Sequence, residues 1–311
     1  MTELEKLAAL RNNIESVLLG KHEAVRQVLV ALLARGHVLL EDVPGVGKTV
    51  LTRAIARSID CQFSRIQLTP DLLPSDILGV SVYDSATGEF TFKRGPIFAH
   101  ILLADEINRT TPRTQSALLE AMNESQVSTD GKTYPLGPPF MVLATQNPYE
   151  FEGTYFLPEN QLDRFMIRVR VGYPDKGTER EILKTQPART RLGALRPVMG
   201  VGDVIALQDR VLTVRVDDAI LDYILAIAEA TRRSDELTIG VSPRGSLSLT
   251  QAARASAMLD GREYVVPDDV KALATPVCAH RLLTRAFTHD GSAAAAEAIF
   301  EKILETIPVP Q

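Results

Sequence analysis

The stretch Glu41-Asp42-Val43-Pro44-Gly45-Val46-Gly47-Lys48-Thr49 decides the fold of this chain. An apolar run at residues 37–40 precedes it, and a helical pattern that starts at Val50 follows it. A strand, a glycine-rich turn ending in Gly-Lys-Thr and a helix, in that order, form a loop that holds the phosphates of a nucleoside triphosphate. Gly45 and Gly47 allow several N–H groups to face one anion, and the positive end of the helix adds to their attraction.

This loop predicts a nucleoside triphosphate and Mg²⁺ as ligands. Lys48 would reach the β- and γ-phosphates, and the Thr49 hydroxyl would bind Mg²⁺. Asp42 stands where the strict pattern has its first glycine, and we expect it to end the strand and point away from the phosphates. The residues expected to contact the nucleotide are Pro44, Gly45, Val46, Gly47, Lys48, Thr49 and Val50.

A second apolar run, at residues 101–104, ends in the carboxylates Asp105 and Glu106. The carboxyl edge of a parallel sheet is where ligands bind in α/β proteins. We expect Asp105 to hold Mg²⁺, directly or through water, and Glu106 to polarise the attacking water. A strand that ends in Asp-Glu is a common accident when taken alone, so this assignment depends on the Gly-Lys-Thr loop upstream.

Three further residues complete the predicted site. Asn147 follows a third apolar run and can hydrogen-bond both a γ-phosphate and a water molecule, although an Asn before Pro148 is also typical of a simple turn. Arg164 lies where a cationic finger could reach the γ-phosphate of a neighbouring subunit. Arg244 opens a helix in the second half of the chain, and its guanidinium suits phosphate oxygens. Each arginine could instead form an ordinary surface ion pair.

The composition is that of an ordinary globular protein with room for two domains: 311 residues, 45% hydrophobic and 23% charged. The net charge of −5 argues against a dedicated nucleic-acid binder, which usually carries a basic excess. Cys61 and Cys278 lie far apart and indicate neither a disulfide framework nor a zinc site. No apolar run approaches the roughly 20 residues that span a bilayer. We therefore expect no membrane span and a cytoplasmic location.

Apolar runs and helical patterns alternate in the first half of the chain. Two helices are expected before the first strand, within residues 4–33 and with a break at Gly20. The alternation predicts an α/β fold, in which helices cover both faces of a mostly parallel sheet. The expected strands of that sheet are residues 37–41, 62–67, 101–105, 140–145 and 165–171.

Two segments and one boundary depart from this alternation. Residues 80–92 and 126–134 alternate polar and apolar side chains around turns, so each predicts a β-hairpin. After Pro174 the strand signals fade, which predicts a nucleotide-binding core at residues 1–175 and a smaller all-helical lid domain at residues 176–311. The expected lid helices are residues 178–185, 201–212, 217–232, 244–259, 267–274 and 293–306.

The ordered set of motifs resembles the AAA+ ATPases, in which they are the Walker A loop, Walker B, sensor 1, arginine finger and sensor 2. The set consists of residues 44–49, Asp105-Glu106, Asn147, Arg164 and Ser242-Pro243-Arg244. Within that superfamily, residues 67–76, 95–98, 105–109 and 162–165 are similar to the MoxR branch. The resemblance covers nearly the whole chain. Asp42, and Asn123 beside Glu124, depart from the family pattern.

This resemblance implies a P-loop core with a small helical lid, assembled as a homo-oligomeric ring that is usually hexameric. It implies hydrolysis of Mg-ATP by a chaperone-like remodeller or cofactor-insertion factor, often beside a partner that carries a von Willebrand factor A domain. The two predicted hairpins match in position the inserts near the pore of such rings. Our hypothesis is that Tyr83, Phe90 or Lys132 contacts a protein client. The alternative is that these residues only brace the hairpins.

Three other classes of function are compatible with parts of this sequence. A DNA motor or loader subunit would place Lys93, Arg94 and Lys132 on phosphates, although the net charge of −5 disfavours it. A nucleotide-gated scaffold would bind ATP without appreciable turnover. A small-molecule kinase with a P-loop is less favoured, because it has no need of Arg164 acting between subunits or of Arg244 on a lid.

Overall fold

A computed structural model of the protein describes residues 2–147, 153–285 and 292–310. The strands are β1 (Val38–Glu41), β2 (Phe63–Gln67), β3 (Gly79–Asp84), β4 (Glu89–Arg94), β5 (Ile101–Asp105), β6 (Gln126–Thr129), β7 (Lys132–Pro135), β8 (Met141–Gln146), β9 (Ile167–Val169), β10 (Leu237–Ile239) and β11 (Leu283–Thr284). The helices are α1 (Glu3–Val17), α2 (His22–Leu33), α3 (Lys48–Ile59), α4 (Pro74–Leu78), α5 (Pro112–Glu124), α6 (Glu159–Leu162), α7 (Lys176–Thr185), α8 (Pro187–Thr190), α9 (Val201–Val211), α10 (Asp218–Arg233), α11 (Pro243–Leu259), α12 (Pro267–Cys278) and α13 (Ser292–Thr306).

The central sheet is parallel, with the strand order β2-β5-β8-β1-β9. This arrangement confirms the predicted α/β fold. β1 and β5 are buried along their whole length, which explains their unbroken apolar sequences, because helices cover both faces of such a sheet. The carboxyl ends of parallel strands share one edge. Glu41, Asp105 and Gln146 therefore end at one edge, whereas His37 and Arg164, which precede β1 and β9, lie at the opposite edge.

The two hairpins occur where the sequence predicts them, and they contact each other. In β3 and β4, Tyr83 pairs with Phe90. The rings of Phe92 on β4 and Tyr134 on β7 are stacked with centroids 4.1 Å apart. The Ser81 hydroxyl donates a hydrogen bond of 2.5 Å to Asp130, in the turn between β6 and β7. The hairpins therefore form one projecting unit.

The helical second half of the chain also contains a short antiparallel pair, β10 and β11, that the sequence did not predict. Strands of three and two residues are too short to show an alternating pattern. The α12 helix continues to Cys278, four residues beyond its predicted end, although Pro276 lies inside it. The Pro267–Cys278 helix packs against β9, so tertiary contacts offset the weak local preference at the proline.

The second half of the chain packs directly on the two N-terminal helices. α2 contacts both α9 and α11. Gln208 on α9 donates a hydrogen bond of 2.7 Å to the Leu32 carbonyl, and Arg26 on α2 pairs with Asp260 at 2.7 Å. One hydrophobic cluster runs from α1, α2 and α3 into α9, α10, α11 and α12 without interruption. In the described parts of the chain, no helix is long and apolar enough to cross a membrane.

Candidate nucleotide-binding site

The loop between β1 and α3 has the conformation of a phosphate cradle. Gly45 and Gly47 have φ values of 85° and 106°, in the left-handed region that glycine tolerates best. Gly47 is the N-cap of α3, so the free N–H groups of the first turn face the loop. A Cβ on Gly47 would also lie 2.8 Å from Leu18 Cδ1. Both glycines are therefore required by the backbone, and the loop suits an anion.

Lys48 lies within electrostatic reach of the carboxylates at this edge. Its Nζ donates a hydrogen bond of 2.7 Å to the carbonyl of Asp42. Burial lowers the pKa of the Lys48 ammonium, while the negative charges of Asp42, Asp105 and Glu106 act in the opposite direction. Among residues 2–147, 153–285 and 292–310, this carbonyl is the one hydrogen-bond partner of the ammonium, and a phosphate oxygen can replace it with a stronger, charge-assisted hydrogen bond.

Asp42 directly follows the last residue of β1, and its carboxylate faces the chain after β9. One carboxylate oxygen accepts a hydrogen bond of 2.8 Å from the Val43 N–H, and the other accepts one of 2.5 Å from the Gly172 N–H. These contacts satisfy the carboxylate without the Lys48 ammonium. Asp42 thus ties the phosphate loop to the connection between β9 and α7.

Asp105 lies at the end of β5 and is almost fully buried. Its Oδ2 accepts a hydrogen bond of 2.6 Å from Arg65 Nε, and its Oδ1 accepts one of 3.2 Å from the Thr145 hydroxyl. Half of the Arg65 side chain is exposed, at 51%. The Asp105 carboxylate therefore already attracts one cationic group, the Arg65 guanidinium. Oxygen donors such as those of Asp105 and Thr49 are the ligands that Mg²⁺ prefers. The site fits a divalent cation in charge and in donor type.

Glu106 is held in an unusual backbone conformation. Its φ and ψ are 59° and 54°, the left-handed region, which typically costs a non-glycine residue about 1–3 kcal/mol. The Glu106 N–H donates to the Thr145 hydroxyl at 2.9 Å, and Oε2 accepts from Gln67 Nε2 at 2.7 Å. Arg109 Nη1 lies 3.6 Å from the same carboxylate oxygen. These contacts hold the Glu106 carboxylate at the surface of the site, beside Asp105.

Asn147 lies at the same edge, one residue beyond β8, and is 9% exposed. Pro148, which together with Asn147 suggested a turn, lies outside the described residues. The site edge therefore brings together the phosphate loop, Asp105, Glu106 and Asn147, all at carboxyl ends of adjacent parallel strands.

Arg164 and Arg244 lie together at the other edge of the sheet. Both line a cavity of about 280 Å³ that also includes His37, at the amino end of β1. Lys48 lies beyond the carboxyl end of that four-residue strand, and such a strand is about 13 Å long at ~3.3 Å per residue. The two arginines are neighbours of each other and are remote from the phosphate loop of their own chain.

The structure adds residues that sequence reasoning missed. Arg65 and Gln67 contact the two carboxylates from β2, and the register pairs Gln67 with Asp105. The loop between α1 and α2 also packs on the site: Lys21 Nζ donates a hydrogen bond of 2.8 Å to the Tyr173 carbonyl, and a Cβ on Gly20 would lie 2.9 Å from Thr178. The sequence signal for this contact was Gly20, because the break that it makes between two helical patterns indicates a sharp turn.

Comparison with known proteins agrees with this geometry. Residues 37–167 match the family model described as "ATPase family associated with various cellular activities (AAA)", and residues 229–303 match an AAA lid domain. The chain is 51% identical to an uncharacterised protein of Bacillus subtilis, YeaC, over 96% of this chain and 93% of that protein. It is 42% identical to Chaperone MoxR1 of Mycobacterium tuberculosis over 96% of this chain and 81% of that protein.

Two further relatives extend the comparison. The chain is 32% identical to Protein MoxR of Paracoccus denitrificans, over 96% of this chain and 94% of that protein. A crystal structure of a proposed ATPase from Cytophaga hutchinsonii superposes with a TM-score of 0.89 at 34% identity, and covers 99% of this chain and 96% of that one. Sequence and fold therefore agree over the core and the helical region alike.

Proposed function

Because this chain belongs to the MoxR family of AAA+ ATPases, we propose that it binds Mg-ATP at the loop between β1 and α3 and hydrolyses it to remodel a protein client. The observation that carries the proposal is the meeting of Lys48, Asp105 and Glu106 at one sheet edge. The name of the Mycobacterium relative, a chaperone, supports the client assignment.

Each residue at this edge has one role in the proposed reaction. Pro44 to Val50 hold the phosphates, mainly through N–H groups and Lys48. Thr49 and Asp105 hold Mg²⁺, which would neutralise charge on the phosphates. Glu106 accepts the proton of the attacking water, and Asn147 orients that water against the γ-phosphate. Gln67 holds the Glu106 carboxylate at 2.7 Å before reaction, so this contact has to be released for Glu106 to reach the water.

The nucleoside would lie against the loop between α1 and α2. Leu18 approaches the phosphate loop at Gly47, and Lys21 holds the Tyr173 carbonyl on the other side. The Tyr173 ring is exposed, which suits the face of a purine, whereas the buried Leu18 side chain packs against the phosphate loop. This wall connects the N-terminal helices, the phosphate loop and the start of the proposed lid at residue 176.

Arg164 and Arg244 would act on the nucleotide of a neighbouring subunit. Their shared cavity lies at the edge remote from Lys48, so within one chain neither arginine can reach the γ-phosphate. A ring in which this edge faces the next subunit's phosphate loop supplies both guanidinium groups between subunits. We propose such a homo-oligomeric ring, with six subunits as in the usual arrangement of the family.

The hairpin unit is the proposed client contact. Phe90 and Tyr83 are 70% and 55% exposed, and their ring centroids lie 5.3 Å apart. Exposed aromatic pairs of this kind favour protein contacts over solvent. Lys132, at the start of β7, adds a charge to the same unit. A partner that carries a von Willebrand factor A domain belongs to the same proposal and rests on the family alone.

Two variants distinguish the roles proposed for Lys48 and Glu106. Lys48→Ala should lose nucleotide affinity, whereas Glu106→Gln should bind ATP and stall hydrolysis, as measured by nucleotide binding and by Mg²⁺-dependent phosphate release. Tight ATP binding by the lysine variant would remove its assignment. A wild-type chain that binds ATP without Mg²⁺-dependent phosphate release would favour the nucleotide-gated scaffold instead.

The client assignment is tested with the stalled variant. Glu106→Gln should retain a protein partner in ATP and release it in ADP, and adding Tyr83→Ser with Phe90→Ser should weaken that retention. The same two serine substitutions in the otherwise unchanged chain should leave basal ATPase activity in place. Binding to DNA with a steep dependence on salt, and no protein retained in ATP, would favour the DNA motor instead.

A further inference from the structure

The segment that carries Arg164 is fixed by the carboxylate of the preceding residue, Asp163. The Asp163 Oδ1 accepts hydrogen bonds from the Ser242 hydroxyl, at 3.2 Å, and from Arg281 Nη1. The Arg281 side chain is 2% exposed. Arg281 also donates hydrogen bonds to the Asp163 carbonyl at 3.1 Å, from Nη1, and to the Phe165 carbonyl at 2.8 Å, from Nη2. A buried guanidinium with this many partners holds the backbone on both sides of Arg164.

The same carboxylate also holds the helix that carries Arg244. Ser242 is the N-cap of α11, and its hydroxyl oxygen accepts a hydrogen bond of 3.1 Å from the Gly245 N–H while the hydroxyl donates to Asp163. Arg244 is the second residue of that helix. Asp163, the residue before Arg164, is therefore linked to Ser242, the helix cap two residues before Arg244.

The Arg244 head group is oriented without being neutralised. Its Nη2 donates a hydrogen bond of 2.7 Å to the Asn123 Oδ1, a neutral amide oxygen. The Asn123 Nδ2 in turn donates to Glu124 at 2.7 Å, which fixes the amide. Within the described ranges, neither Arg164 nor Arg244 forms an ion pair with a carboxylate. Both positive charges thus remain available to an anion that enters the cavity of about 280 Å³.

We propose that Asp163 is a positioning residue that sets Arg164 and Arg244 side by side as one clamp for the phosphates of the neighbouring subunit's nucleotide. This inference rests on the proposed function, because it concerns how the arginines are presented between subunits. Asp163 lines the same cavity, and its carboxylate is paired with Arg281, so it acts by holding the two arginine-bearing segments. Buried Arg281 holds the Asp163 carboxylate in place. The Asn123 amide sets the direction of the Arg244 guanidinium.

The test uses Asp163→Asn, which keeps the side-chain shape and removes the charge opposite Arg281. We expect kcat to fall about 10- to 100-fold, the effect of a small misplacement of a catalytic group, with the affinity for ATP at the variant's own phosphate loop unchanged. The matched control is Asp260→Asn, which weakens the pair with Arg26 at the other end of α11, about 25 Å away at ~1.5 Å per residue. Both variants should lower the melting temperature, and only Asp163→Asn should lower kcat.

Subunit mixing separates this inference from the proposed function. A Glu106→Gln subunit lacks the proton acceptor and keeps its arginines, so it should restore hydrolysis to Asp163→Asn and to Arg164→Ala subunits alike. Asp163→Asn mixed with Arg164→Ala should show no rescue, because both lack a working clamp. If Arg164→Ala is rescued and Asp163→Asn is not, the positioning role is wrong and the proposed function stands. If neither is rescued while rings assemble, action between subunits is wrong.

If Asp163→Asn fails to fold, a second pair of variants tests the same proposal. Ser242→Ala removes one contact to Asp163 and leaves Arg281 in place, and kcat should fall about 2- to 10-fold, as for the loss of one hydrogen bond. Ser242→Thr keeps the hydroxyl and should restore nearly full activity. Equal kcat in the alanine and threonine variants and the wild type would overturn the proposed link between Asp163 and the helix of Arg244.

Discussion

The contact between Arg65 and Asp105 predicts a measurable effect on Mg²⁺ affinity. Its guanidinium lies on Asp105 at 2.6 Å, where a divalent cation would bind, so the two positive charges compete. Because the Arg65 side chain is 51% exposed, solvent weakens this pair, and Arg65→Ala should tighten Mg²⁺ binding only about two- to fivefold. The measurement is a Mg²⁺ titration of nucleotide binding in the Glu106→Gln background.

Arg109→Ala is the control for Arg65→Ala, because Arg109 is an arginine at the same edge whose Nη1 lies 3.6 Å from the Glu106 carboxylate. It should leave the Mg²⁺ affinity close to its original value. Weaker Mg²⁺ binding after Arg65→Ala would contradict competition and would mean that Arg65 supports the metal-bound state.

His37 makes the stability of the protein sensitive to acid. Its Nδ1 accepts a hydrogen bond of 3.0 Å from the Val142 N–H and its Nε2 lies 3.1 Å from the Met122 carbonyl, a pattern that requires the neutral ring. Burial lowers the pKa of His37 to about 4. The unfolded chain binds this proton near pH 6.5, so the free energy of unfolding falls as the pH drops from 6.5 to 4, by up to about 3 kcal/mol.

The variant His37→Gln tests this pH dependence. It removes the titrating group, so urea unfolding between pH 4 and 6.5 should show a shallower loss of stability, even if the variant is less stable at pH 7. His280, whose pKa burial holds well below 6.5, contributes in the same direction, and some pH dependence should therefore remain. An unchanged slope would show that His37 does not account for the sensitivity.

At the scale of the element, β1 and β9 are held to the last helix by a buried ionic network. Arg168 on β9 lies 3.2 Å from Glu41, the residue before the phosphate loop, and 3.2 Å from Glu297 on α13. Arg170 contacts the same two carboxylates but is 48% exposed. Burial lowers the pKa of Arg168, as expected for a cation removed from water.

The two arginines form a matched pair for mutation. Arg168→Ala leaves the buried Glu41 without its closest partner and should lower the free energy of unfolding by about 3–5 kcal/mol. Arg170→Ala removes an exposed charge from the same carboxylates and should cost about 1 kcal/mol or less. Urea unfolding of both variants measures the difference, and equal losses would contradict a buried network centred on Arg168.

The elements that the sequence predicts well are those with a long local signal. The fully buried strands β1 and β5 and the Gly45–Gly47 turn follow from apolar runs and glycine spacing alone. Contacts between remote segments left no such signal: Arg65 reaches Asp105 across 40 residues of chain, and Arg281 reaches Asp163 across 118. The sequence predicts that Arg244 binds phosphate, and only the packing of α11 reveals which sheet edge this residue occupies.

At the scale of the whole molecule, the N-terminal helices belong as much to the proposed lid as to the sheet. α1 and α2 contribute to the same hydrophobic cluster as α9 to α12. The Lys6–Asp203 and Arg26–Asp260 pairs, both at 2.7 Å, cross the same interface. Motion of the second half against the sheet would have to shear this cluster or carry the N-terminal helices along. Asp42, hydrogen-bonded to Gly172, lies at the connection where such motion would reach the phosphate loop.

A cut at the predicted domain boundary tests this continuity. A chain of residues 1–175 would expose the apolar side of α2, where Val25, Val28 and Leu29 are at most 1% exposed in the whole protein. It should aggregate or unfold without a cooperative transition, because exposed apolar surface of this kind drives association. Co-expression with residues 176–311 should restore a soluble, stoichiometric complex, since the packing needs no covalent link. A soluble monomer of residues 1–175 with cooperative urea unfolding would instead establish the core as an independent domain, on which the second half moves freely.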